Sequence, residues 1–276
     1  MVSVLTIFSL HKEICDFYEF VRPQSYEQAM RSALLERLNV FIKHEPEECI
    51  IYSFGSFAAG LYLPNADMDI VITSRTFRET GRPVFCQSGT KMFKLARSLE
   101  DAGIAERKCV EVIHKAKVPI IKFVDKLTGL RVDVSFENST GTTANSTFAT
   151  WKSQYPAMPI VVTLIKQFLM MRGLNEVVNG GIGGFTVTCL VTSLLQHMPR
   201  IKSGELKAEE NLGEILLEFL DFYGNQFDLN RVGIEMEPPK YVDKVKIYFL
   251  LQFMGLLNTG LFKASKQERS STLVRP

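Results

Sequence analysis

Apolar residues recur at two different spacings in the first half of the chain and at one in the second. Leu10 to Tyr18 reads as a helix. After Arg22 and Pro23 a second helix runs from Ser25 to Lys43, with Met30, Leu34, Leu38, Phe41 and Ile42 on one face and Pro46 closing it. Cys49 to Phe54 then reads as a strand, Ser56 to Leu61 as a helical turn, and Met68 to Thr73 as a second strand. Lys91 to Ala102 is amphipathic at helical spacing and leads into strand-like runs at Ala105 to Val112, Val118 to Val124 and Leu130 to Phe136. Thr128 and Gly129 mark a hairpin turn between the last two. From Asn145 onward the strand signal vanishes, and Pro159 to Met171, Phe185 to His197 and Leu212 to Tyr223 read as helices.

This order predicts an α+β chain with two domains. A mixed-sheet domain covers residues 37–150, and a helical domain combines residues 10–36 with 151–258. An active site is expected in the cleft between them. Val245 to Leu261 is apolar, and the basic polar stretch 259–276 reads as a disordered tail.

Strand period places the candidate chemistry. Side chains alternate across a strand, so Asp67 and Asp69 project together while Met68 and Ile70 pack behind them. Asp133 sits between Val132 and Val134, where an acid is costly to bury unless it is paired or bound to a cation. A lone Asp-x-Asp is commonly a solvated strand end, and a lone Gly-Ser says little. Here Gly55 and Ser56 occur together with three acids, in order and with strands where strands are needed. Hard carboxylate oxygens suit Mg²⁺ together with substrate phosphates. Two such ions roughly 3.5–4 Å apart activate an attacking hydroxyl and stabilise a leaving pyrophosphate. Gly55 admits close backbone approach to a triphosphate, and Ser56 adds a hydroxyl donor. The set reads as a nucleotidyl-transfer arrangement, with Asp67 and Asp69 holding both ions and Asp133 serving the ion that activates the hydroxyl. The run Asn179 to Gly184 is too rich in glycine for a helix, and reads equally as a flexible connection or as a close approach near ligand.

Composition narrows the partners. At 276 residues, 46% hydrophobic and 22% charged, the chain has ordinary globular composition with room for two cores. A net charge of +2 offers no large basic field, so RNA binding by the isolated chain is expected to be weak and sensitive to salt. Five cysteines lack metal-ligand spacing and read as reduced thiols of a nuclear or cytosolic protein. Met1 to Leu10 lacks the basic start and cleavage site of a signal peptide, and no segment has the length and apolarity expected of a membrane span.

Several motifs together resemble one family. They are Leu10-His11-Lys12-Glu13-Ile14, the run Phe54-Gly55-Ser56-Phe57-Ala58-Ala59-Gly60-Leu61, Ala66-Asp67-Met68-Asp69, Asp133-Val134-Ser135-Phe136, Ile165-Lys166-Gln167-Phe168-Leu169 and Gly180-Gly181-Ile182-Gly183-Gly184-Phe185. Across roughly residues 10–244 the chain is similar to the noncanonical poly(A) polymerases of the Trf type, within the DNA polymerase beta-like nucleotidyltransferase superfamily. The resemblance implies a nucleotidyltransferase domain and a helical PAP-associated central domain. It implies template-independent addition of AMP from ATP to an RNA 3′ end with two Mg²⁺ or Mn²⁺ ions, and uridylyl transfer stays open as an alternative, as does a non-catalytic scaffold. Asp67, Asp69 and Asp133 match its metal triad, Gly55 and Ser56 its triphosphate pair, and Asn145 a position near the sugar. Lys166 matches a lysine on the triphosphate, although its residue context alone reads as an exposed helix charge. Gly184 and Phe185 fall where the family holds adenine. A zinc-knuckle RNA-binding protein and an RNA helicase of a TRAMP-like complex are the implied partners, with nuclear placement and the nucleolus left open. The family's Asn- and Asp-rich second recognition segment, expected beyond Pro238 to Lys244, finds no match, which reads as a truncated or differently spliced product.

Overall fold

The computed structural model describes residues 4–44, 48–85, 89–116, 118–138, 140–246 and 274–275. Pro46, most of Val245 to Leu261 and the tail up to residue 273 therefore lie outside the described residues. Two compact units emerge, one of residues 21–150 and the other of residues 1–20 with 151–276.

In chain order the elements begin with helices α1 (Val4–Val21) and α2 (Ser25–Ile42), strand β1 (Ile50–Ser53), helix α3 (Gly55–Ala59) and strand β2 (Met68–Thr73). Helices α4 (Arg75–Thr80) and α5 (Gly89–Asp101), strands β3 (Glu111–Ile113), β4 (Ile120–Val124) and β5 (Arg131–Phe136), and helix α6 (Thr140–Gln154) follow. Then come α7 (Met158–Met171), α8 (Gly184–His197), α9 (Pro199–Lys202) and α10 (Leu212–Asp221), and strands β6 (Val232–Met236), β7 (Pro239–Asp243) and β8 (Val274–Arg275).

The first unit is built on a five-stranded mixed sheet of order β1-β2-β5-β4-β3, in which only β2 and β5 run parallel. Strand alternation sends Met68, Ile70, Ile72, Val132, Val134, Ile121 and Phe123 into one core, covered by Leu34, Leu38 and Ile42 of α2 and by Met92, Leu95 and Leu99 of α5. Residues 21–36 therefore pack with the sheet, not with the helical part of the chain that the sequence order suggested. The apolar face expected of α2 is also rotated at its N-terminal end. Met30 is exposed, and Glu27 and Arg31 are buried in its place.

One buried ion pair fastens α2 to the far side of the sheet. Asp125 is fully buried at the end of β4, accepts from the Thr128 backbone N–H at 2.8 Å and hydroxyl at 2.6 Å, and is paired with the Arg37 guanidinium. These bonds hold the β4–β5 turn, where Gly129 takes φ +70°.

In the second unit α7 packs on α8, and Gly213 lets α1 approach α10 closely, since a Cβ there would meet the Ile7 carbonyl at 2.7 Å. The His11 ring accepts the Leu212 backbone N–H at the start of α10. A β6–β7 hairpin follows, which corrects the expectation that strands end near Asn145. Val274 and Arg275 add a short parallel strand to β6, against the expectation of an unstructured tail at those two positions. The four described cysteines are free thiols; Cys49 and Cys189 are buried, and burial pushes the Cys189 thiol up to about 12. No helix among the described residues is long and apolar enough to cross a membrane.

Removing a partner from a buried charge-assisted network costs several kcal/mol. Asp125→Ala is expected to lower stability by roughly 2–4 kcal/mol in urea unfolding. A loss below about 0.5 kcal/mol, the range of ordinary surface substitutions, would show that the pair does not anchor α2.

Candidate active site

The sheet face turned away from the core carries a row of charges. Register places Asp69 beside Asp133 on the parallel pair, Asp133 beside Lys122, and Lys122 beside Glu111. Like charges directly opposed across strands repel, so the first pair requires positive charge nearby. Lys122 supplies it, its Nζ donating to Asp133 Oδ2 at 2.7 Å. That hydrogen bond raises the Lys122 pKa, with burial opposing it.

Asp67 lies just ahead of β2. Arg131 Nε donates to its Oδ1 at 2.6 Å, and Arg131 Nη2 donates to the Asn65 carbonyl at 3.2 Å. Both acids keep some exposure, 38% for the Asp67 side chain and 22% for that of Asp133, so solvent and ligand reach them.

Asp69 is held against the glycine turn. The Phe54 N–H donates to the Asp69 carbonyl at 3.0 Å, and Gly55 takes φ +66°. A Cβ on Gly55 would lie 2.6 Å from Asp69 Oδ2. Glycine is thus required twice, for backbone conformation and for room beside the carboxylate. Ser56 follows in the first turn of α3, half-buried. Asn145, on α6, donates from Nδ2 to the Ser53 carbonyl at 3.1 Å, and its buried Oδ1 has no partner among the described residues. The first unit therefore gathers Gly55, Ser56, Asp67, Asp69, Asp133 and Asn145 around the ends of β1, β2 and β5.

A residue that the sequence reading missed supports this group from below. Arg31 is 1% exposed, lies 4.6 Å from the Tyr62 ring centroid, and donates from Nη2 to the Ala66 carbonyl at 2.9 Å and the Pro64 carbonyl at 3.4 Å. Burial lowers its pKa, opposed by Tyr62, Glu27 and Asp67. Arg31 and Arg131 between them hold the carbonyls of Pro64, Asn65 and Ala66, the three residues before Asp67. The available signal was a helix whose 3.6-residue spacing puts Glu27 and Arg31 in line with Leu34 and Leu38.

The second unit holds the remaining candidates. Lys166, half-buried on α7, runs past the start of α8, where a Cβ on Gly184 would lie 3.3 Å from Lys166 Cε. Phe185 is next along α8 and 40% exposed. The glycine run makes its close approach to its own loop, because a Cβ on Gly181 would meet the Leu174 carbonyl oxygen at 2.4 Å.

Among the described residues no three His, Cys, Asp or Glu side chains converge into a ready metal cage. Asp67 turns to Arg131 and Asp133 to Lys122. The donor set nonetheless fits Mg²⁺ or Mn²⁺: it consists of hard carboxylate oxygens, and two of them stand on adjacent strands whose mutual repulsion a divalent cation relieves.

A mixed sheet of this order, with a glycine turn against one of two acids in register on its parallel strands, defines a polymerase beta-like nucleotidyltransferase fold. Residues 10–153 match the family described as "Poly(A) RNA polymerase, mitochondrial-like, central palm domain", and residues 211–254 match "Cid1 family poly A polymerase". The chain is 41% identical over 249 residues to Poly(A) RNA polymerase cid14 of Schizosaccharomyces pombe, covering 90% of this chain and 34% of that protein. It is 31% identical over 229 residues to Trf4-2 of Drosophila melanogaster, described as an inactive poly(A) RNA polymerase protein, covering 82% of this chain and 54% of that one. A solved structure of the polymerase core of TRAMP, an RNA surveillance complex, superposes with a TM-score of 0.76 at 35% identity, covering 87% of this chain and 72% of that chain. The chain belongs to the poly(A) RNA polymerase family of the Trf4 and Cid14 type. It spans about a third of the length of the cid14 relative.

Gly55→Ala is expected to displace the Asp69 carboxylate and to lower stability by roughly 1–3 kcal/mol, the range for a non-glycine residue forced to positive φ. Thermal unfolding checks the stability. An unchanged melting temperature would show that the turn relaxes freely.

Proposed function

We propose that this chain transfers AMP from ATP to the 3′ end of RNA without a template. The RNA 3′ hydroxyl loses its proton, its oxygen bonds to the α-phosphorus, and the α-phosphorus bond to pyrophosphate breaks. The observation that carries this reading is the Asp69–Asp133 register against Gly55, which concentrates negative charge beside a turn whose residue has to be glycine to leave room for the Asp69 carboxylate.

In this reading Asp67, Asp69 and Asp133 hold two Mg²⁺ or Mn²⁺ ions. When bound, such ions lower the pKa of an attacking hydroxyl and stabilise the charge on the leaving group. Gly55 and Ser56 face the triphosphate, and Lys166 offers it a point cation. Asn145 Oδ1, buried and without a partner among the described residues, is suited to accept from a sugar hydroxyl. Phe185 presents a ring on which adenine stacks, assisted by the close passage at Gly184. The family and the surveillance-complex likeness support a nuclear role with a zinc-knuckle RNA-binding protein and an RNA helicase. The chain's net charge of +2 agrees with such partners supplying much of the grip on RNA.

Replacing Asp67 and Asp69 together with Ala should abolish nucleotide addition to an oligoadenylate primer while circular dichroism stays native. Retained addition by a folded double variant would refute the mechanism. A competition among ATP, UTP, CTP and GTP separates adenylyl from uridylyl transfer. In thermal unfolding, a Mg²⁺-dependent rise selective for ATP is expected, because a ligand that binds only the native state stabilises it by mass action. No shift with any nucleotide would favour a scaffold of the kind suggested by the inactive relative.

A further inference from the structure

Two of the three acids already carry a cation drawn from a neighbouring strand position. Lys122 Nζ sits 2.7 Å from Asp133 Oδ2 and Arg131 Nε sits 2.6 Å from Asp67 Oδ1. Neither cation is locked in place, since the Lys122 side chain is 41% exposed and that of Arg131 63%. Each also has somewhere else to go. Glu111 stands opposite Lys122 on β3, on the side away from Asp133, and is exposed. Arg131 retains its bond to the Asn65 carbonyl through a different nitrogen, Nη2, about which the guanidinium can pivot.

We infer that Lys122 and Arg131 are exchangeable counter-ions of the acid site, holding Asp133 and Asp67 until a divalent cation displaces them, with Glu111 receiving Lys122. The inference rests on the reading of the acids as metal ligands. It follows from competition for the same oxygens: one carboxylate oxygen cannot both accept a short bond from an ammonium and coordinate Mg²⁺ at full strength. Without the two cations, the row Asp69–Asp133 with nearby Asp67 would concentrate three negative charges on one sheet face. With them, the sheet closes in the absence of metal, and metal binding is weakened by the ion pairs it has to break. Lys122 and Arg131 are thus positioning residues that set metal affinity, and Glu111 sets how readily Lys122 leaves.

The test is Mn²⁺ binding to the purified 276-residue chain, read as loss of the free Mn²⁺ electron paramagnetic resonance signal, with no nucleotide and no turnover. Exposed ion pairs are worth up to about 1 kcal/mol, so Lys122→Met and Arg131→Met are each expected to tighten Mn²⁺ binding by roughly two- to fivefold. Glu111→Gln is expected to weaken it by roughly twofold, a change in the opposite direction that a general loss of structure would not produce together with the first two. Circular dichroism accompanies each variant, and Lys122→Gln replaces Lys122→Met if the latter loses its native spectrum. If the native chain binds Mn²⁺ and the Lys122 and Arg131 variants bind it no more tightly, the counter-ion inference is overturned and the metal site stands. If the native chain binds no Mn²⁺, with or without these substitutions, the metal-site reading falls, and the inference with it.

Discussion

Repulsion between Asp69 and Asp133 is the constraint around which the first unit is arranged. Parallel pairing of β2 with β5 leaves no freedom in the matter, because a slip of β5 by one residue would bury Asp133 and expose Val132 and Val134. The apolar face thus fixes the register, and the register forces the carboxylates together. Everything close to them answers that charge. A lysine stands beside one acid, a glycine turn leaves space beside the other, and two arginines hold the loop that brings up a third.

The two faces of one sheet divide the labour between stability and chemistry. On one side, helices α2 and α5 close a core of Leu, Ile, Met and Val side chains. On the other, Asp69 and Asp133 remain half-open to ligand, while Val71 and Ser135, two residues farther along the same strands, are buried. A sheet with such a core can tolerate unfavourable charge at one end of its other face, since a few kcal/mol of repulsion is small beside the burial of so many apolar side chains.

The features legible in the sequence were those governed by period. Met68-Asp69-Ile70 and Val132-Asp133-Val134 alternate so regularly that both strands and the exposed face of each acid could be read directly, and β2 runs over the expected Met68–Thr73. The rest was hidden where tertiary context overrides local pattern. Helix α6 draws on Thr, Ser, Asn and Gly, poor helix formers, and its fifteen residues gave no helical signal. The β6–β7 hairpin has Gly233 inside one strand and Pro238-Pro239 at its turn, which mask the alternation. On α2 the misreading was chemical: a buried arginine takes a core position because backbone carbonyls and the Tyr62 ring satisfy part of it, and hydrophobic periodicity cannot see such a partner. In the run Asn179 to Gly184, which the sequence left open between a flexible connection and an approach near ligand, Gly181 is packed against the Leu174 carbonyl of its own loop.

The Arg31–Ala66 bond joins residues 35 positions apart and runs from the middle of a core helix to the residue before Asp67. Local opening of the acid loop therefore requires either that the guanidinium be stranded, with Nε and Nη1 already lacking partners among the described residues, or that α2 lift from the sheet. The loop is thereby placed in the same cooperative folding unit as the hydrophobic core, and its backbone amides should resist exchange with solvent far more than its surface position implies. Such a site is inherited with its scaffold: the acid-bearing strands transplanted without α2 would carry the right side chains on a loop that nothing holds.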